Sequence, residues 1–218
     1  MNPIVLLHVD ESLLVVEKPA GLLSVPGRGE GGLDNLSARV QQQFADALIV
    51  HRLDQATSGL MLFARGALMQ RALSMAFEAR AVHKTYMAVV HGAMDAEAGR
   101  IDAPLAADWP QRPRQKVDAL QGKAALTRWW LMQRGVDRSL LRLEPVTGRS
   151  HQLRVHLQSV GHAIVGDTLY ATQASLSDRL LLHACGLSLS HPLNGQALQF
   201  SSAVPFGLDY SAAVSLSD

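Results

Sequence analysis

Apolar and polar positions change period several times along this chain, and each change marks an element. Ile4–Val9 and Leu13–Glu17 are short apolar runs around Asp10-Glu11-Ser12, which predicts two strands joined by a turn. Leu33, Leu36, Val40 and Phe44 recur at three- and four-residue spacing, so a short amphipathic helix is expected there, with Asp34 as its N-cap. "GLMLFAR" is a continuous apolar strand. Leu68, Met69, Ala72, Leu73, Ala76 and Phe77 mark a second helix, and "KTYMAVVHG" the strand that follows. "KAALTRWWLMQR" and "SLLRLEPV" predict antiparallel strands around Gly135-Val136-Asp137. "SHQLRVHLQSVG" predicts a helix with Ser150 as N-cap and Gly161 just past its end. "RLLLHACGLSLSHP" and "ALQFSSAVP" close the pattern as two strands around a Pro192/Asn194/Gly195 turn.

Two stretches carry no period. "KPAGLLSVPGRGEGG" is glycine-rich and reads as a mobile loop, because folded patterns resume at once. "DWPQRPRQK" holds two prolines with Arg112, Arg114 and Lys116, and reads as a loop that presents charge. Strands outnumber helices and mostly follow one another directly. The expected fold class is therefore α+β with a mixed, mostly antiparallel sheet, and no boundary divides residues 1–218, so a single domain is expected.

Composition narrows the function. No apolar run reaches the eighteen or so residues of a membrane span. The N-terminus lacks the basic start and cleavage site of a secretory signal, and a single cysteine, Cys185, forms no internal disulfide, so a reduced cytoplasmic setting is expected. The net charge of +1 hides an asymmetry. Arg100–Arg154 holds eleven Lys/Arg against five Asp/Glu, a balance of +6, and the rest of the chain balances at −5. A concentrated positive surface attracts a polyanion, although a salt-bridged solvated face has the same composition.

Most catalytic templates fail. His151 and His156 are five apart, roughly 140° around a helix, so they do not share a face for a metal. GxSxG, GxxxxGK[ST] and GxGxxG are all missing. What remains is a carboxylate among arginines: Asp54 two residues after Arg52, with Arg149 opening the later helix. A guanidinium keeps a desolvated aspartate ionised and oriented, which makes it a nucleophile or a base. Structural Asp–Arg pairs look the same.

At this point three blocks match a family. "HRLDQATSGLMLFAR" resembles the HRLDxxTSGLxxxA signature of the RluA-type pseudouridine synthases. "KTYMAVVHG" resembles their K-x-Y strand, and "PVTGRSHQLRVHLQSVGHAIVGDTLY" their GR-x-HQLR-x-H block, with Ala163 where proline is common. The resemblance runs from about Asp10 to Val204. "GLLSVPGR" and "DWPQRPRQKV" further resemble the subfamily that modifies both tRNA and 23S rRNA. That subfamily has no S4-like domain before its catalytic region, and none is expected here.

The resemblance implies a fold and a chemistry. Helices and loops would flank a mixed, mostly antiparallel sheet around a central active-site cleft. A uridine flipped from its RNA stack would be isomerised without cofactor or metal. Asp54 would be the essential carboxylate. Tyr86 would stack on the uracil and help move the C5 proton, its alternative being a core tyrosine. Arg149 would pair with Asp54, or else bind phosphate at a helix N-terminus. Arg52 would enter the stack that the uridine leaves, or form a structural salt bridge. Leu182 would pack on the uracil edge, or simply lie in the core. Arg112, Arg114 and Lys116 would contact phosphates. His151, Gln152, His156 and His183 are expected as core or supporting residues satisfied by backbone groups. The implied partners are tRNA anticodon and 23S rRNA stem-loops, with the enzyme a monomer. The rival readings are a non-catalytic RNA chaperone, a synthase for one RNA class alone, and a carboxylate hydrolase, which would need a second acid that only Asp167 could supply.

Overall fold

The computed structural model describes residues 4–27, 32–171 and 177–209. In chain order the elements are β1 (Val5–Val9), β2 (Leu13–Lys18), α1 (Leu36–Gln41), β3 (Ala47–Ile49), β4 (Ser58–Arg65), α2 (Gly66–Glu78), β5 (His83–His91), β6 (Ala98–Asp102), β7 (Leu105–Ala107), a 3₁₀ turn (Trp109–Gln111), β8 (Gln115–Val117), β9 (Leu126–Arg134), β10 (Arg138–Pro145), α3 (Gln152–Ser159), β11 (Leu182–Ser190) and β12 (Ala197–Ser201). This is the expected α+β class. Part of the glycine-rich loop, Arg28–Gly31, lies outside the described residues.

Two compact units share the chain. One combines the described residues up to Thr85 with His183–Ala203, and the other Tyr86–Leu182 with those from Val204 on. In the first, β2 lies antiparallel between β1 and β4, and β3 also pairs with β4. β11 joins β4 in parallel through His183 and Ala184, and β12 is antiparallel to β11. Leu13, Val15, Leu60, Leu62, Ala64, Leu187 and Leu189 pack with Met69 and Leu73 of α2. Met61 and Phe63, on the opposite face of β4, are also fully buried, so this strand is covered on both sides and its apolar run has no alternation.

In the second unit β5, β10, β9 and β6 follow one another antiparallel. β7 and β8 make a separate two-stranded hairpin. Leu105, Ala125, Val155 and Tyr170 form one small core, and Val89, Val165 and Leu181 another.

Several local expectations need correction. Asn35, not Asp34, caps α1: its backbone is extended and its Oδ1 accepts from Ala38 N at 2.9 Å. Asp34 is engaged instead by Arg39, whose Nε and Nη2 each donate at 2.7 Å. Leu33 precedes this shorter helix and is exposed, and Leu68 is exposed because it lies a quarter turn off the face that buries Met69 and Leu73. α3 begins two residues after Ser150, with His151 at its N-terminus in the left-handed region, φ 52°. No side chain at that position caps it. Gln152 reaches back instead, its Oε1 accepting from Arg149 N at 3.0 Å. The stretch "DWPQRPRQK" is a loop only in part: its end forms β8, paired with β7.

Candidate active site and RNA-binding elements

The segment carrying Asp54 is irregular, yet its backbone is held from both sides by buried donors. Ser24 Oγ donates to Leu53 O at 2.7 Å and accepts from Leu53 N at 3.1 Å. Lys18 is fully buried, and its ammonium donates to the carbonyls of Pro19, Leu22 and Gln55 at 2.7–2.9 Å. A buried cation is tolerated only when its hydrogens are used in this way. Gln55 O also accepts from Gly21 N at 2.9 Å, and Asp54 O from Thr57 N at 3.1 Å. The residues on either side of Asp54 are thus fixed, while the aspartate itself is half-buried. Arg52 is exposed, and no carboxylate of the described residues pairs with it.

His51 closes this frame. Its ring stacks on Phe77 at 4.7 Å, and its Nε2 accepts the Leu62 N–H at 2.9 Å, which requires that nitrogen to be unprotonated. Burial, with the Lys84 ammonium as a smaller cause, pushes its pKa down to about 3.

Beyond Thr57 the chain must turn tightly into β4, and Gly59 lets it do so. Its φ is +116°, and a Cβ there would lie 2.3 Å from Ala184 O, so neither conformation nor space admits a side chain. Next to it Ser58 Oγ bonds His183 Nδ1 at 2.8 Å, His183 Nε2 bonds Ser202 Oγ at 3.0 Å, and Ser202 Oγ donates to Glu17 Oε2 at 2.9 Å. His183 is therefore satisfied by side chains rather than by the backbone groups expected. This buried relay ties the start of β4 to β2 and to the segment after β12.

In the second unit Tyr86 opens the β5–β10 register opposite Leu143 and is almost fully buried, as is Leu182. Arg149 is exposed, and its Nε donates to Ala124 O at 3.1 Å. The buried guanidinium of the same block belongs to Arg154, whose Nε and Nη2 clamp both oxygens of Asp167 at 2.8 Å. Asp167 Oδ1 also accepts from the backbone N–H of Leu169 and Tyr170, so this acid holds a turn. Arg154 was not among the expected site residues. Its signal was position, since it sits in a helix whose neighbours Leu153, Val155 and Leu157 are all buried.

The remaining polar residues of that block are committed to structure. Gln152 Oε1 also accepts from Thr147 Oγ1 at 2.7 Å, and its Nε2 donates to Leu126 O and Thr127 Oγ1. His156 Nε2 meets the Ala103 carbonyl, so that nitrogen carries the proton and Nδ1 accepts from Thr127 Oγ1. Burial keeps it neutral by lowering its pKa. His151 Nδ1 bonds Tyr170 Oη at 2.6 Å.

The basic half of the sequence divides into used and unused charge. Lys116, Arg128, Arg134, Arg138 and Arg154 each have a carboxylate within 4 Å. Arg100, Arg112, Arg114, Lys123, Arg142 and Arg149 pair with none of the described carboxylates. These six cations suit a phosphate backbone. Among the described residues no group of three His, Cys, Asp or Glu is placed to hold a metal. Nor is any described helix long and apolar enough to cross a membrane.

An α+β fold, a carboxylate on a held segment and a set of cations without a described acid are what an RNA-modifying enzyme of the pseudouridine synthase type needs. Comparison with known proteins agrees. The sequence model of the RNA pseudouridylate synthase family matches residues 12–159, and the chain belongs to that family. Among curated relatives, the dual-specificity RNA pseudouridine synthase RluA of Vibrio cholerae is 48% identical over 188 residues, 85% of this chain and 77% of the relative. RluA of Escherichia coli K12 is 42% identical over 206 residues, covering 93% and 94%. Among solved structures, human RNA pseudouridylate synthase domain containing 1 superposes with a TM-score of 0.78 at 25% identity, covering 94% of this chain and 87% of the human one. The chain is an RNA pseudouridine synthase, an isomerase.

Proposed function

We propose that this synthase isomerises particular uridines in both tRNA anticodon stem-loops and 23S rRNA stem-loops, as a monomer in the cytoplasm, with Asp54 as its essential carboxylate. The observation that carries the assignment of Asp54 is its frame. Four contacts from Lys18, Ser24 and Gly21 fix the backbone on each side of this half-buried acid. The dual substrate class is favoured by the dual specificity for which the relatives are named and by their 42–48% identity over most of the chain.

The reaction breaks the N1–C1′ bond, turns the detached uracil and joins C5 to C1′. The C5 proton is lost and one is returned to N1, so atoms balance without an outside reagent. Attack by Asp54 at uracil C6, attack at C1′, and removal of the C2′ proton all require an ionised carboxylate beside the sugar. Tyr86 is assigned to stacking on the flipped base, and Leu182 to its edge. Arg52, exposed and without a described acid, is assigned to the gap the uridine leaves, where a planar guanidinium stacks well. Arg149 is assigned to a phosphate, because an exposed guanidinium meets an RNA backbone more readily than it enters a dry ion pair. Arg112, Arg114 and Lys116 are assigned to further phosphates.

The test uses stem-loop transcripts carrying tritium at uridine C5, one set from tRNA anticodon arms and one from 23S rRNA. Release from both sets, abolished by Asp54→Asn, is the expected result. Release from one set alone removes the dual assignment. Binding without release in the wild type points to a chaperone, and free uracil to a hydrolase.

A further inference from the structure

We propose that the tip of the β7–β8 hairpin is a platform for one unpaired base of the RNA loop, with the Trp109 indole as its stacking surface. This deepens the RNA reading above and rests on it. Trp109 is 68% exposed and lies outside the three hydrophobic clusters described above, so they make no use of the ring. Its ring contact among the described residues is a cation: the Arg112 guanidinium lies 3.2 Å from the ring centroid. An indole with a guanidinium stacked on it, held in water, presents flat surface and positive charge together. Unpaired nucleotides need both.

The tip is also stiff, so little freedom is lost when a base lands on it. Asp108 N donates to Arg114 O at 2.9 Å, Gln111 N to Asp108 O at 3.0 Å, and Arg114 N to Gln111 O at 2.9 Å. Arg114 Nη1 donates to Gln111 Oε1 at 2.9 Å, and the Arg114 guanidinium lies 5.4 Å from the Tyr170 ring. Tyr170 in turn accepts from Gln115 N at 2.8 Å, which anchors the base of the tip to the core below α3. A protein partner would be met by an apolar patch, whereas this ring is single and its neighbours Pro110, Gln111 and Arg112 are all exposed. Arg112 and Arg114 have no described carboxylate. The surroundings favour an anionic chain with planar bases.

The experiment places 2-aminopurine at one loop position after another of a stem-loop substrate and follows its emission on binding. Wild type is expected to quench one position strongly, Trp109→Ala to relieve that quench, and Trp109→Phe to retain most of it. The KM of Trp109→Ala for the stem-loop should rise about 5- to 100-fold, with kcat moving far less, as expected when a single stacked base is lost. An unchanged quench pattern with KM within twofold overturns the proposal, as does an equal loss in Trp109→Phe. Asp54→Asn serves as the control that separates the two readings. It should keep the quench while releasing no tritium, and release from it would overturn the catalytic assignment whatever Trp109 does.

Discussion

Two regions of this molecule each carry an aspartate inside a motif rich in arginine and histidine, and different contacts hold the two segments. Around Asp167 everything converges on the carboxylate: Arg154 clamps both oxygens and two backbone N–H groups occupy one of them. Around Asp54 the donors converge on the neighbouring carbonyls of Leu53 and Gln55. The first arrangement uses an acid to hold a turn. The second uses a turn to hold an acid. Composition does not separate these cases, since each acid lies in a block with arginines, but the motifs do: Asp54 follows HRL, and Asp167 belongs to a GD that resembles a structural turn. The structure adds how each segment is held: Asp167 through its own oxygens, and the Asp54 segment through the backbone of its neighbours.

That contrast breaks most severely at Asp167. Replacing it by alanine strips a buried guanidinium of its bidentate carboxylate and two N–H groups of their acceptor. A loss of roughly 3–5 kcal/mol in denaturant unfolding is expected, with activity falling only as far as the folded fraction does. If Asp167→Ala were instead stable and inactive, the roles assigned to the two acids would be exchanged. Gly59→Ala attacks the other region through its frame. A Cβ at φ +116° and 2.3 Å from Ala184 O should cost about 2–4 kcal/mol and displace the start of β4.

Acid should weaken both regions through their histidines. His51 in the folded chain titrates at about 3, far below its value of 6.5 when unfolded, and burial lowers His156 in the same direction. Below pH 6.5 the unfolded chain takes up protons that the folded chain refuses. Stability is therefore complete above about pH 7 and is lost as pH falls from 6.5 toward 3, at about 1.4 kcal/mol per pH unit for His51. A midpoint that stays constant from pH 7 to pH 4.5 would contradict neutral, buried imidazoles. The smallest effect is expected at Arg149, where alanine should raise KM by less than tenfold and reduce the salt dependence of RNA binding by about one ion. A drop in kcat at saturating RNA would return Arg149 to the ion pair with Asp54 that its motif suggested.

The sequence disclosed the long elements because their periods are strong. β4 runs apolar and buried from Leu60 to Ala64, β9 and β10 alternate about a turn, and α2 buries Met69 and Leu73 on one stripe. It failed where an element is three residues long, as in β3 and β7, or lacks a period, as in β6 with Gly99 and Arg100. Caps failed for another reason. Asp34 and Asn35 are both competent residues, and only the reach of Arg39 decides which of them is free to cap. Among the site residues, Asp54 could be picked out by its motif. Lys18 and Ser24 could not, since their partners are backbone atoms up to 37 residues away. Arg149 and Arg154 are chemically alike in the sequence, and burial is what tells them apart.

The central claim is that Asp54 supplies the chemistry from a segment whose backbone Lys18 and Ser24 hold at the carbonyls on either side of it. The most direct measurement compares wild type and Asp54→Asn side by side for RNA affinity, unfolding midpoint and tritium release. The amide is nearly isosteric, so affinity and midpoint should stay close to wild type while release falls by a factor of a thousand or more, about 4 kcal/mol of transition-state stabilisation. Turnover within tenfold of wild type in a folded, RNA-bound Asp54→Asn protein would contradict it.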